Sequence, residues 1–159
     1  MTTTRPITPS DLDLVCRHRE EMFRASNAPG RTEDVLQTMN VAFRIWLQPR
    51  LKDGSYFGFI VEDAGTPVAG IGLMVIDWPP HPSHPQEDKR GYVLNLFVEP
   101  LYRQRGLGNM LMALGEADFR KRGVSYGVLH ATRMGKALYE RMGWAGTSEM
   151  AKPLIGADR

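Results

Sequence analysis

Arg103-Gln104-Arg105-Gly106-Leu107-Gly108 places two arginines and two glycines between an apolar, strand-like run at residues 92–98 and an amphipathic, helix-like run that begins at Leu107. A loop of that composition presents free backbone N–H groups and the positive end of a helix dipole to one point in space, which suits a pyrophosphate. Side chains at the two glycines would hinder the approach of the anion, and Arg103 supplies a positioning charge. The chain therefore reads as a binder of a phosphorylated cofactor. Two nucleotide signatures are missing: a dinucleotide fingerprint needs a third glycine where Leu111 stands, and no Gly-x-x-x-x-Gly-Lys-Ser/Thr phosphate loop occurs.

Thirty positions after Gly108 begins a second block, Leu138-Tyr139-Glu140-Arg141-Met142-Gly143-Trp144. Taken with Val98-Glu99-Pro100 and the glycine loop, this order resembles the GNAT superfamily of acyl-CoA-dependent N-acetyltransferases. Arg103, Gly106 and Gly108 match the family's Arg/Gln-x-x-Gly-x-Gly/Ala pyrophosphate signature, and Leu138 to Trp144 match its Leu-Tyr-Glu-x-x-Gly-aromatic block. The match is clear over residues 92–150, and the N-terminal half agrees in pattern only.

The resemblance implies an α/β (α+β) fold. It has a mixed, mostly antiparallel central sheet of about six to seven strands, about four flanking helices and splayed parallel central strands. It also implies acetyl-CoA as acyl donor and direct transfer of the acetyl group to a primary amine, on a small molecule or a protein. Cofactor contacts are then expected from Phe97, Val98, Arg103, Gln104, Arg105, Gly106, Leu107, Gly108, Asn109 and Tyr139. In the family the strand matching residues 92–98 carries a bulge, and a backbone N–H near Val98 would face the thioester carbonyl as an oxyanion donor. Tyr139 matches the family's general acid: a phenol with a pKa of ~10 can protonate the departing CoA thiolate. Where the family often has Asn, seven positions before this tyrosine, Thr132 stands, and it can cap the helix instead.

The elements that would position these residues follow from periodicity. A short strand at residues 5–8 precedes a helix from Ser10 or Asp11 to about Arg24, on which Cys16 falls at a core position, and residues 27–30 break that helix. A second helix starts at Thr32 or Glu33 and is expected to stop at Pro49. Strands follow at 56–61 and 68–76 around a turn at 63–67, then a strand at 92–98, a helix at 107–122, a strand at 126–131, a helix at 133–142 and a last strand at 146–150. Residues 77–90 contain four prolines and read as a surface loop, expected to rim the acceptor side of the site.

With 159 residues, the chain has the length of one domain, 1–159. A net charge of +2 does not mark a nucleic-acid binder, and one cysteine excludes an intrachain disulfide, consistent with a reducing cytoplasm. No run reaches the ~18 apolar residues of a membrane span. Glu20, Glu21, Asn95 through a water, and His130 are candidates for taking the amine's proton. His81 and His84 lack companions for a metal site, so no metal is assigned. A non-catalytic acyl-CoA-binding module is the rival reading, and a homodimer is left open.

Overall fold

The computed structural model describes residues 1–26 and 28–156. Asn27, first residue of the expected break, lies outside them. The elements run β1 (Thr2–Pro6), a 3-10 turn (Pro9–Asp11), α1 (Leu12–Ser26), α2 (Glu33–Asp53), β2 (Tyr56–Asp63), β3 (Thr66–Asp77), β4 (Lys89–Val98), a second 3-10 turn (Pro100–Tyr102), α3 (Leu107–Lys121), β5 (Gly127–Leu129) and α4 (Lys136–Arg141). The strands form one sheet in the order β1-β2-β3-β4-β5. Every neighbouring pair is antiparallel except β4 and β5.

The sheet has five strands among the described residues, fewer than the six to seven expected. The difference includes residues 146–150, where no strand forms: the Glu149 N–H donates to Thr147 Oγ1 at 3.3 Å, a local turn that competes with a ladder. Helix α2 runs past Pro49 to Asp53 because Leu47 and Leu51 are both buried one turn apart on the same face. The carbonyl left without its helical donor belongs to Ile45, which is exposed, so water can satisfy it.

Alternation along the strands makes two cores. Phe57, Ile71, Leu73 and Val93 pack with Leu111, Met112 and Phe119 of α3 on one face. Tyr56 packs on the other face with Val15 and Cys16 of α1 and with Phe43, Leu47 and Leu51 of α2. Burial of Cys16 pushes its thiol pKa up, as a core cysteine requires.

The loop after β3 is less superficial than its composition implies. His84 is buried, its Nε2 accepts from Arg90 Nε at 2.9 Å, and its Nδ1 donates to Glu87 O at 3.0 Å. The Arg90 guanidinium lies over the rings of Trp78 and Tyr126. Since Asp77 pairs with Lys89, this loop is fastened at the start of β4. Val98 is nine residues further on, about 30 Å at about 3.3 Å per residue. The loop therefore lies at the opposite end of β4 from the glycine loop.

Candidate active site

Strand β4 changes character at one residue. Gly72 pairs with Asn95 and Leu73 with Val93, so Leu94 is an extra residue. This bulge turns two consecutive side chains to the same face: Leu94 packs against the α1/α2 core, and Asn95 Nδ2 donates to Tyr56 Oη at 2.8 Å. Pairing with β5 covers only Gly91 to Val93 against Gly127 to Leu129. Beyond the bulge the two parallel strands part.

The backbone beyond that point faces in a determined direction. The Glu99 N–H donates to Val68 O on β3, so the groups of Val98, one residue earlier, point the other way. By the same alternation the N–H groups of Leu96 and Val98 face the gap left by β5, whereas those of Phe97 face β3. The Phe97 ring stacks on His18 of α1 with centroids 4.9 Å apart. Leu96 is a gap-facing residue that sequence reasoning did not single out, since an apolar run carries no mark of which amides a bulge will free.

The glycine loop begins at the end of this strand. Arg103 Nε donates to Val98 O at 3.0 Å, so this arginine spans loop and strand. Gln104 and Gly106 both adopt positive φ, at 61° and 80°, with Arg105 between them outside that region. This alternation of hand turns successive N–H groups inward. Gly106 is the N-cap of α3 with no side-chain cap, and the first turn carries no acidic residue. The first intrahelical bond is Met110 N–H to Gly106 O, leaving the N–H groups of Leu107, Gly108 and Asn109 without helical acceptors. A Cβ on Gly106 would meet nothing within 4 Å, but one on Gly108 would lie 3.2 Å from Leu138 Cδ2. Gly106 thus serves the backbone turn, while Gly108 lets α4 pack against α3. Arg105 is exposed and lies over the Tyr102 ring.

Tyr139 follows Leu138 on α4 and is 8% exposed. Burial raises its pKa, so the phenol holds its proton at neutral pH. Its ring lines a cleft of about 760 Å³ bounded by β5, α4 and the segment around residues 143–151. The helix begins later than expected, at Lys136, because Thr132 shapes its entrance: the Thr132 Oγ1 accepts the Gly135 N–H at 3.1 Å and its carbonyl accepts from Lys136. Trp144 closes the block by donating Nε1–H to Glu116 of α3 at 2.9 Å.

The base candidates separate by their partners. Glu20 and Glu21 are held by Arg24 at 3.1 and 2.6 Å. Asn95 is engaged at both ends of its amide, with Oδ1 accepting from Arg19 at 2.8 Å and Nδ2 on Tyr56. His130 follows the last residue of β5, is exposed, and pairs through Nε2 with Tyr92 Oη at 2.9 Å. Among the described residues no group of three or more His, Cys, Asp or Glu is placed to hold a metal ion, and no helix is long and apolar enough to cross a membrane.

A parallel pair that parts at a bulge, followed by an uncapped glycine turn into a helix, leaves free backbone N–H groups along one strand and at one helix start. The sequence model of the acetyltransferase (GNAT) family matches residues 17–144, and the chain belongs to that family. A search of curated protein sequences gives no match. Among solved structures, a GCN5-related N-acetyltransferase from Ralstonia eutropha JMP134 is 58% identical, with a TM-score of 0.94, covering 98% of this chain and 100% of that one. A predicted acetyltransferase from Clostridium acetobutylicum, solved with acetyl-CoA, is similar in fold at 18% identity, with a TM-score of 0.85 and 96% of each chain covered. The aminoglycoside N-acetyltransferase AAC(6')-Iy, solved with CoA, has a TM-score of 0.68 at 14% identity, over 96% of this chain and 93% of that one.

Proposed function

We propose that the protein transfers the acetyl group of acetyl-CoA directly to a primary amine. The observation that carries this reading is the gap between β4 and β5 beyond Val93 and Leu129, faced by the N–H groups of Leu96 and Val98. Pantetheine adds along β4 as a partial strand, and the pyrophosphate rests on the N–H groups of Leu107, Gly108 and Asn109 with Gln104 and Arg105 beside them. The acetyl-CoA in the Clostridium acetobutylicum relative supports the choice of donor.

In the reaction the amine nitrogen attacks the thioester carbonyl carbon, and negative charge grows on its oxygen. The Val98 N–H donates to that oxygen, a fixed dipole aimed where charge develops. The carbon–sulfur bond then breaks, and the Tyr139 hydroxyl gives its proton to the CoA sulfur. The proton lost by the amine passes to Tyr92 Oη as that hydroxyl gives its own to His130 Nε2, 2.9 Å away, whereas Glu20, Glu21 and Asn95 are held by arginines. A covalent acyl-enzyme has no support, since Cys16 is 1% exposed and its thiol is held protonated by burial.

The test is the rate of CoA release from acetyl-CoA against a panel of primary amines, with the acetylated amine identified by mass spectrometry. Release that rises with one amine's concentration and yields its acetamide is expected. Release that ignores every amine, or none at all with CoA bound, overturns the reading.

A further inference from the structure

Among the described residues Arg19 is a cation with no counter-ion. Its guanidinium carbon lies 4.9 Å from the Phe23 ring centroid and 4.7 Å from that of Phe43, and among the described residues it makes no ion pair. One terminal nitrogen donates to Asn95 Oδ1 at 2.8 Å, while its Nε is buried without a hydrogen-bond partner. The neighbouring acids do not compensate it, because Glu20 and Glu21 are engaged by Arg24. Burial accordingly lowers its pKa, with only the phenols of Tyr56 and Tyr92 acting in the other direction. Arg90 makes a useful contrast: it too lies between aromatic rings, but its Nε is satisfied by His84.

A half-buried guanidinium whose buried Nε has no partner among the described residues is costly unless something else compensates its charge. The anions that pair best with a guanidinium are a carboxylate and a phosphate. Its place in the fold says what the anion belongs to. Asn95 directly follows the bulge residue Leu94 of β4, and it lies three positions before Val98, about 10 Å at about 3.3 Å per residue. It is also on the α1/α2 face, where Tyr92 and His130 stand.

We propose that Arg19, positioned by Asn95 and flanked by Phe23 and Phe43, binds an acidic group of the acceptor, so that the substrate is a primary amine carrying a carboxylate or phosphate. This rests on the acetyltransferase reading above and adds the substrate class. Charge pairing at Arg19 selects the acceptor and leaves the acetyl-CoA contacts untouched.

The experiment pairs acceptors that differ only in the acidic group: glycine with glycinamide, leucine with leucinamide, and phosphoethanolamine with ethanolamine. The wild type should favour the acid over its neutral counterpart by ~10–100-fold in kcat/KM, the scale of a charge-assisted pair. Arg19→Gln keeps a donor for Asn95 but removes the charge, and should abolish that preference by lowering kcat/KM for each acid to that of its neutral counterpart. Arg19→Lys should restore part of it. The amino acid and phosphoethanolamine pairs separate carboxylate from phosphate. Independently of turnover, calorimetric titration of the CoA-loaded protein with acetate and with inorganic phosphate should show binding to wild type that R19Q lacks. Equal use of acids and amides by the wild type, or anion binding unchanged in R19Q, overturns the proposal. Anion binding at Arg19 with no transfer to any amine would uphold the subsite while removing the acetyltransferase reading.

Discussion

Arg103 and Val98 are joined by a 3.0 Å hydrogen bond from guanidinium Nε to backbone carbonyl, so the first residue of the glycine loop holds the last residue of β4. The bond links the two parts to which the proposed function assigns one cofactor: the amides along β4 and the N–H groups at the start of α3.

Arg103→Met should therefore loosen both parts together. Losing a charged donor on a partly buried carbonyl costs about 1–2 kcal/mol of stability, and CoA affinity should fall by ~10-fold as the loop separates from the strand. Arg103→Lys, which lacks the planar fork, should not rescue it. Thermal melts and calorimetric CoA titrations read the two effects, and full CoA affinity in Arg103→Met would show that the tie is dispensable.

Gly106 offers a separation of charge from shape. Its left-handed backbone is one that Asn and Asp tolerate better than other side chains, and a Cβ there has open space. Gly106→Asn and Gly106→Asp should thus melt within a few degrees of each other. Only the aspartate should weaken CoA strongly, by ~10-fold or more, because it brings negative charge against the phosphates. Equal affinities in the two variants would move the pyrophosphate elsewhere. Gly108 is a poorer probe: a side chain there meets Leu138 and disturbs α4 first.

Much of this site is written locally. Arg103 to Gly108 and Leu138 to Trp144 are each contiguous, and the glycine turn into α3 and the tyrosine on α4 can be read from them without reference to the rest of the fold. What could not be read depends on distant partners. The bulge at Leu94 lies within an unbroken apolar run, and only pairing with β3 reveals the extra residue. Arg19 looks like any charge on a helix until the fold brings it to Asn95, 76 positions away. The same holds for His84, buried by Arg90 within a loop whose prolines suggest plain exposure, and for Pro49, tolerated because Leu51 is needed in the core.

His18 predicts a pH dependence. It is 3% exposed, its Nε2 has no partner among the described residues, and desolvation lowers its pKa from 6.5 to about 4. Above pH 6.5 the imidazole is neutral in both folded and unfolded chains and contributes no slope. Between about 6.5 and 4 only the unfolded chain takes up the proton, so stability falls as pH falls, by up to about 3 kcal/mol on linkage. Denaturation midpoints across that window should decline in the wild type and decline less steeply in His18→Gln. Parallel slopes would show that His18 is protonated in the fold.

In the proposed reaction the Tyr139 hydroxyl is the general acid. Tyr139→Phe keeps the ring in its buried site, so melting temperature and acetyl-CoA affinity should barely change, since the hydroxyl matters as sulfur gains charge. Chemistry should slow by ~10²–10⁴, the range for losing a general acid. The direct measurement is single-turnover acetyl transfer from acetyl-CoA to the best amine of the panel, with enzyme in excess, for wild type and Tyr139→Phe. The account predicts amine-dependent product in the wild type and a burst slower by at least ~10²-fold in the variant. Equal single-turnover rates would contradict it and leave Tyr139 as a packing residue.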